Sequence, residues 1–243
     1  MTQGIYKVLS NEKLAPAVFK MVLSGDTSAL TKPGQFINFK IDGLYLRRPI
    51  SVCDYDDKTV TIIYKVVGEG TEKMSLMESG ALDVLTGLGN GFDTQMSGEK
   101  PLLIGGGVGV PPMYNLCKKL ISEGKTVTVI MGFMSDADVF YKEEFERLGT
   151  KVYITTNDGS AGIKGFVTDA MKELSEYTYF YTCGPEPMLR GVYDTSKTEG
   201  QLSFEARMGC GFGACMGCTC ETKYGNKRIC KDGPVLLKEE VIW

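Results

Sequence analysis

The spacing of apolar positions changes once along the chain, near residue 100. Before that point, short β-branched and aromatic runs at 5–9, 17–23, 35–41, 50–54 and 60–67 predict strands. Turn signals separate them: Lys32-Pro33-Gly34, Ile41-Asp42-Gly43 and Tyr55-Asp56-Asp57. Many short strands at this spacing predict a small antiparallel barrel, closed by the glycine-rich turn at 87–92. After that point, strands at 102–104, 127–133, 151–156 and 177–182 alternate with helices. The first of these helices carries Met113, Leu116, Cys117, Leu120 and Ile121 at helical spacing, and others are expected over 140–148, over 166–174 and after Pro187. Strand–helix alternation predicts a doubly wound parallel sheet. The expected division is a barrel over 1–97, an α/β domain over 98–203 and a small C-terminal segment over 204–243.

Composition narrows the chemistry. A chain of 243 residues can support two apolar cores. A net charge of −3 without a basic block argues against nucleic acid as a partner. No apolar run reaches membrane-spanning length and Met1-Thr2-Gln3-Gly4 opens no signal peptide, so a cytoplasmic protein is expected. The chain has no histidine, which excludes Ser-His and Cys-His nucleophiles, His-liganded zinc and Rieske clusters. The chemistry is therefore expected to rest with cofactors, with no catalytic side chain.

Five of the eight cysteines lie in the last segment, a distribution that suits one metal site in a reducing compartment. Cys210, Cys215 and Cys218 follow a C-x4-C-x2-C spacing, and Cys230 follows after eleven intervening residues. That is the plant-type spacing for a [2Fe–2S] cluster. Gly211, Gly213 and Gly217 let the backbone curl between the sulfurs. A structural four-cysteine zinc site is the alternative, although such sites more often pair two C-x2-C elements. Cys220 is either a buried thiol or a competing ligand.

In a doubly wound sheet, ligands bind beyond the carboxyl ends of the strands. Gly105, Gly106, Gly107 and Gly109 follow the first strand of the sheet, and Cys183, Gly184 and Pro185 follow its last expected strand. They are candidates for a nicotinamide dinucleotide, with a tight strand-to-helix turn as the alternative. Asp136, Asp138 and Asp158 end the second and third strands without an arginine. Acids suit a free ribose 2′-hydroxyl, so NAD(H) is expected over NADP(H), with Lys164 the opposing sign. In the barrel, Arg47-Arg48-Pro49-Ile50-Ser51 offers a guanidinium for a phosphate and a hydroxyl for a ring or ribose edge. Gly68-Glu69-Gly70-Thr71 precedes a helix for which Thr71 is the expected N-cap. A solvated arginine pair and an ordinary capped helix are the competing readings.

Taken in this order, Arg-Pro-x-Ser, Gly-x-Gly-Thr, Gly-Gly-Gly-x-Gly, Cys-Gly-Pro and the cysteine segment resemble the ferredoxin–NADP reductase superfamily. Phe204-Glu205-Ala206-Arg207-Met208-Gly209-Cys210 narrows the resemblance to the electron-transfer subunits of class 1B, NAD-dependent dihydroorotate dehydrogenases. The resemblance implies FAD held by Arg48, Pro49, Ile50, Ser51, Ile63, Tyr64, Lys65, Gly70 and Thr71, and a cluster held by Cys210, Cys215, Cys218 and Cys230. Ile50 stands where the superfamily often has tyrosine, so flavin stacking falls to Tyr64 or to no aromatic. A flavin-covering role for Trp243 is doubtful, and Cys183 lies either near the nicotinamide or in the core. The implied function is electron transfer between a separate FMN-containing catalytic subunit, two copies of each chain, and NAD⁺ during oxidation of dihydroorotate to orotate. Phe212 and Met216 are then expected near the partner. The alternatives are a similar reductase subunit of a hydrogenase, sulfite reductase or ferredoxin transhydrogenase, and a non-catalytic zinc module.

Overall fold

The computed structural model describes residues 1–174 and 176–243. Six strands form a closed antiparallel barrel: β1 (Thr2–Ala15), β2 (Val18–Ser24), β3 (Phe36–Lys40), β4 (Arg48–Tyr55), β5 (Thr59–Lys65) and β6 (Ala81–Leu88), in the order β1-β2-β5-β4-β3-β6. Pairing of β1 with β6 completes the cylinder and removes the open edges. The interior follows the period-2 alternation of strands: Tyr6, Val8, Met21, Leu23, Ile37, Phe39, Ile62, Tyr64 and Val84 point inward. β6 is a strand that the apolar pattern did not predict. Asp83 and Gly87 dilute its composition, yet Leu82 and Val84 fill the barrel.

Helix α1 (Glu69–Ser75) caps the barrel and begins earlier than expected. Gly68 is its N-cap, and Thr71 lies inside the first turn. The Thr71 hydroxyl accepts from the N–H groups of Val67 (2.9 Å) and Gly68 (3.3 Å), so it satisfies loop donors from within the helix.

The second layer contains β7 (Pro101–Gly106), α2 (Pro111–Ser122), β8 (Thr128–Phe133), α3 (Lys142–Arg147), β9 (Lys151–Thr156), β10 (Ile163–Lys164), α4 (Val167–Lys172), β11 (Tyr179–Cys183), α5 (Glu186–Thr195) and β12 (Gly200–Ser203). The C-terminal segment adds a hairpin, β13 (Thr219–Thr222) with β14 (Gly225–Arg228), and the edge strand β15 (Val235–Leu237). The sheet order is β10-β9-β8-β7-β11-β12-β15, parallel except where β15 runs antiparallel to β12. β11 is therefore not the last strand, because β12 and β15 continue the sheet beyond it.

Alternation on the strands sorts the helices to two faces. Leu103, Val129 and Tyr181 share a core with α2 and α3, whereas Leu102, Ile104, Ile130 and Phe180 pack under α4 and α5. The first core continues into the barrel through Ala15, Val18, Cys53 and Ile63. The second takes in Cys218, Ile229 and Cys230 together with Phe36, Leu85 and Leu88 of the barrel. The connection between the layers is fixed by polar bonds. Asn90 exchanges hydrogen bonds with the Val235 backbone (2.8 and 3.1 Å), and the Asp93 carbonyl accepts from Tyr181 Oη (2.9 Å) and Gln201 Nε2 (2.8 Å).

Phe92 sits in the shared core with its ring edge-on to Tyr181 at 5.6 Å. Phe92→Ala is expected to cost about 3–5 kcal/mol. Because the core belongs to both layers, urea should unfold the variant in one shifted transition, and two separated transitions would refute a shared core.

Candidate functional site

The flavin candidates lie where two barrel strands part. Pairing of β4 with β5 runs from Tyr55↔Val60 to Val52↔Ile62, whereas Arg48, Pro49, Ile50 and Ser51 pair with β3. Ile63, Tyr64 and Lys65 pair with β2. The strands thus open a wedge with these two segments on its sides.

The side chains within the wedge differ in role. Arg47 is committed to the barrel rim, where it donates to the Asp83 carboxylate (2.9 Å) and to the Asp83 and Asn38 carbonyls. Arg48 instead lies over Gly70, where a Cβ would overlap its guanidinium stem, and donates to the Leu46 carbonyl. Arg48 and the start of α1 therefore face each other. Pro49 and Ser51 stand opposite Asn38 and Phe36, so these four share the outer face, while Ile50 packs toward the barrel core. Tyr64 does not stack on any ligand face. It is 2% exposed inside the barrel, its ring lies against Phe19, and its hydroxyl donates to Asn11 Oδ1 (3.0 Å). Burial pushes its hydroxyl up to about 12, with the Asn11 bond opposing. Inward alternation of β5 decides this, and it leaves only the backbone of Tyr64 at the wedge.

The nicotinamide candidates converge at the point where the strand order reverses. β7 and β11 are neighbours, with Cys183 in register with Gly105. A Cβ on Gly109 would overlap the Cys183 carbonyl and come within 2.7 Å of Gly184 Cα. Only glycine permits this approach. The turn of Gly107 and Gly109 also packs against β5, which brings the two clefts side by side. Pro185 leads directly into α5. Cys183 is half-buried; burial pushes its thiol up to about 12, with a bond to Ser203 opposing, so it is a neutral wall of the cleft at pH 7. Asp158 is exposed at the end of β9, where Ser160 donates to it through Oγ (2.6 Å) and N–H (3.0 Å). These bonds hold its carboxyl below the ordinary range and keep it anionic. Lys164 lies alongside Gly159 in the same corner.

The four cysteines come together as two pairs. Cys210 and Cys215 each donate a backbone N–H to the other's Sγ (3.5 and 3.4 Å), and Cys230 N–H donates to Cys218 Sγ (3.4 Å). The first pair is at the surface and the second is buried in the α4/α5-side core. Backbone donors surround the sulfurs: Ala214 and Cys215 N–H point to Cys210 Sγ (3.2 and 3.4 Å), Gly217 N–H to Cys215 Sγ (3.5 Å) and Cys230 N–H to Cys218 Sγ (3.4 Å). Burial raises the Cys210 thiol, but these N–H groups and the Cys215 thiol outweigh it and bring it down to about 6. Burial and the neighbouring sulfurs push Cys230 up to about 12.

Among the described residues, no three metal-type side chains converge on one point. A single zinc ion takes four thiolates at one centre, whereas a [2Fe–2S] cluster takes two on each of two irons. Backbone N–H donors aimed at the cysteine sulfurs suit the negative charge that thiolate ligands carry. Arg228 clamps the loop, donating to the Gly213 carbonyl (2.9 Å) while pairing with Asp232 (3.0 Å). Cys220 is half-buried on β13 opposite Lys227, outside both pairs. Trp243 packs on Tyr193 and Phe204.

Comparison with known proteins places these features in a family. Residues 205–242 match the iron-sulfur cluster binding domain of dihydroorotate dehydrogenase B, and residues 103–194 match an oxidoreductase NAD-binding domain. The electron transfer subunit of dihydroorotate dehydrogenase B (NAD(+)) from Listeria innocua is 44% identical over 99% of both chains. The chain belongs to the dihydroorotate dehydrogenase B electron transfer subunit family. The Fusobacterium nucleatum member is 42% identical over 96% of both chains. Among solved structures, a chain of an NADH-dependent reduced ferredoxin-NADP oxidoreductase superposes with a TM-score of 0.89 at 29% identity, covering 99% of this chain and 90% of that one. A ferredoxin NADP⁺ reductase from Neisseria gonorrhoeae, solved with FAD and NADP, shares the fold of 80% of this chain, with 90% of its own covered, at a TM-score of 0.69 and 18% identity. In this family member, sequence reasoning missed Asn38 and Arg228, which hold the cysteine loop from β3 and β14. Neither has a motif, because both act through contacts distant in sequence.

Gly109→Ala should force the glycine turn and the Cys183 loop apart, costing about 1–3 kcal/mol. The expected result is a lower melting temperature with weakened NADH binding in a fluorescence titration. Wild-type values for both would show that the loops have room to spare.

Proposed function

We propose that this chain passes electrons between a dihydroorotate-oxidising catalytic subunit and NAD⁺, through a [2Fe–2S] cluster and FAD. The observation that carries the reading is the order of the three sites in space. The glycine turn packs against β5, and the cysteine loop docks on β3 beside β4. The flavin wedge thus lies between the dinucleotide cleft and the four sulfurs. Kinship with a dihydroorotate dehydrogenase B electron transfer subunit at 44% identity over 99% of the chain supports it. When bound, a flavin accepts two electrons together and releases them singly, which matches a nicotinamide to a one-electron cluster.

The side chains bind and position; none is required to exchange a proton with a substrate. Arg48 and the α1 start are placed for the diphosphate of FAD, Ser51 for a polar edge of the flavin, and the backbone of Ile63, Tyr64 and Lys65 for the other side of the wedge. Gly105, Gly106, Gly107 and Gly109 admit the NAD(H) diphosphate close to the backbone, and Cys183, Gly184 and Pro185 wall the nicotinamide end. The anionic Asp158 disfavours a 2′-phosphate. Cys210, Cys215, Cys218 and Cys230 hold the cluster, and their N–H donors stabilise charge on sulfur.

The catalytic partner in this reading carries FMN and assembles with this chain as two copies of each. Phe212 and Met216 are exposed on the cysteine loop and face that partner. No helix among the described residues is long and apolar enough to cross a membrane, in keeping with a cytoplasmic complex. The likeness to the ferredoxin-NADP oxidoreductase chain favours a second reading, a transhydrogenase-type subunit with the same cofactors. Co-purification of a flavoprotein that oxidises dihydroorotate separates the two.

Anaerobic NADH should bleach the flavin and produce a [2Fe–2S] spin-resonance signal, with NADPH at least ~10-fold less effective. Equal reduction by both would sink the NAD assignment. Cys215→Ser should abolish the signal while FAD is retained, and a persisting signal would remove Cys215 from the ligand set. Phe212→Asp is expected to weaken association with the catalytic subunit on gel filtration; undiminished association would place the interface elsewhere.

A further inference from the structure

Asn38 joins two of the sites and leaves one atom unused. It lies on β3 at 1% exposure, and its side-chain Nδ2 donates to the carbonyl of Cys210 at 3.3 Å. Gly211 has φ +77°, and a Cβ there would overlap Nδ2, so the cysteine loop closes directly on this amide. On the sheet, Asn38 stands opposite Pro49 and Phe36 opposite Ser51, with Ile37 and Phe39 directed into the barrel. Asn38 therefore shares its outer face with the flavin candidates Pro49 and Ser51. Its Oδ1 is buried and has no hydrogen-bond partner. Flipping the amide would not help, because Oδ1 would then meet the Cys210 carbonyl, acceptor against acceptor.

A buried amide oxygen without a donor is destabilising, and a leucine of similar size would avoid the cost. An acceptor left without a partner at this position points to a donor supplied from outside the chain. The chemistry available on that face, given the reading of the wedge as the FAD site, is a ring N–H of the isoalloxazine. We propose that Asn38 is a positioning residue that holds flavin and cluster against each other, Oδ1 accepting from a flavin ring N–H while Nδ2 fixes the Cys210 carbonyl. One rigid side chain then sets the approach of the two redox groups, and its two ends report separately.

The test uses the cluster-loaded chain and two variants. Asn38→Leu removes both ends, and Asn38→Asp keeps an acceptor at Oδ1 while losing the Nδ2 donor. FAD affinity is read from flavin fluorescence on release, and the cluster from its spin-resonance line shape after dithionite reduction. Asn38→Leu should bind FAD about tenfold more weakly, equivalent to about 1.4 kcal/mol, with a shifted line shape. Asn38→Asp should keep FAD affinity within about threefold of wild type, since the acceptor survives, yet show the same line-shape shift. Wild-type FAD affinity in Asn38→Leu, or an equal tenfold loss in both variants, overturns the proposal. If Asn38→Leu fails to fold, Asn38→Asp decides alone: retained FAD with a shifted cluster signal supports it, and any other combination overturns it. A wild-type chain that takes up no FAD would refute the flavin site itself, a separate outcome.

Discussion

Everything in this molecule depends on the apolar core that β4 and β5 share with α2. Cys53 and Ile63 of the barrel are buried against Val110, Met113, Leu116 and Cys117. Fully burying each larger apolar side chain contributes about 1.5–3 kcal/mol, so the contact is a strong one. Asp54 adds polar bonds to Asn115 (2.9 Å) and Lys118 (2.8 Å) along the same seam. Because α2 begins immediately after the glycine turn, packing its apolar stripe on β4 delivers that turn to β5 at the wedge. The glycine turn and the β4–β5 wedge become neighbours as a consequence of ordinary burial.

The cysteine segment is held by a different balance. It has little regular structure, and its order comes from a few directed contacts. Asn38 takes the Cys210 carbonyl, Arg228 takes that of Gly213, and Cys218 and Cys230 enter the core beside Phe36 and Leu88. Half of the sulfur set is thereby buried, and the other half stays at the surface with Phe212 and Met216 exposed. This gradient gives the proposed cluster an inner side toward the barrel and an outer side toward a partner. Solvent exposure and N–H donors to sulfur also tune a cluster's potential, and both are set here by how the loop docks.

Charge has a narrower role than the arginine pair suggests. Arg47 is spent on Asp83 at the barrel rim, in a partly exposed pair of modest worth. Arg48 remains directed at the start of α1 over the space that Gly70 leaves open. Two adjacent residues of one type thus serve opposite ends: one closes the barrel, and the other lies against the start of α1. Asp158 has a local role as well, since its carboxylate orders its own turn through Ser160 and still stands exposed beyond β9.

What was legible in the sequence was whatever depends on neighbours along the chain. Cysteine spacing, the glycine run and the change of apolar period are local, and they carried the fold class and the four-cysteine site. Thr71 was recognised as a helix-start residue but read as the N-cap, whereas the N-cap lies three residues earlier at Gly68 and the Thr71 hydroxyl serves the loop from inside the first turn. Decisions made between distant segments were not legible. β6 became a strand by pairing with β1 and β3 despite a diluted composition, and β12 and β15 extended the sheet past β11. Tyr64 turned into the barrel because register on a period-2 strand is set by its partners. The same register placed Asn38 beside Pro49 and under Cys210, residues far apart in the chain. Sequence by itself settled which chemistry the chain can hold, since ligand types and turn residues are written locally. Only the tertiary structure decided how the sites face one another, because strand pairing and shared burial are properties of the assembled whole.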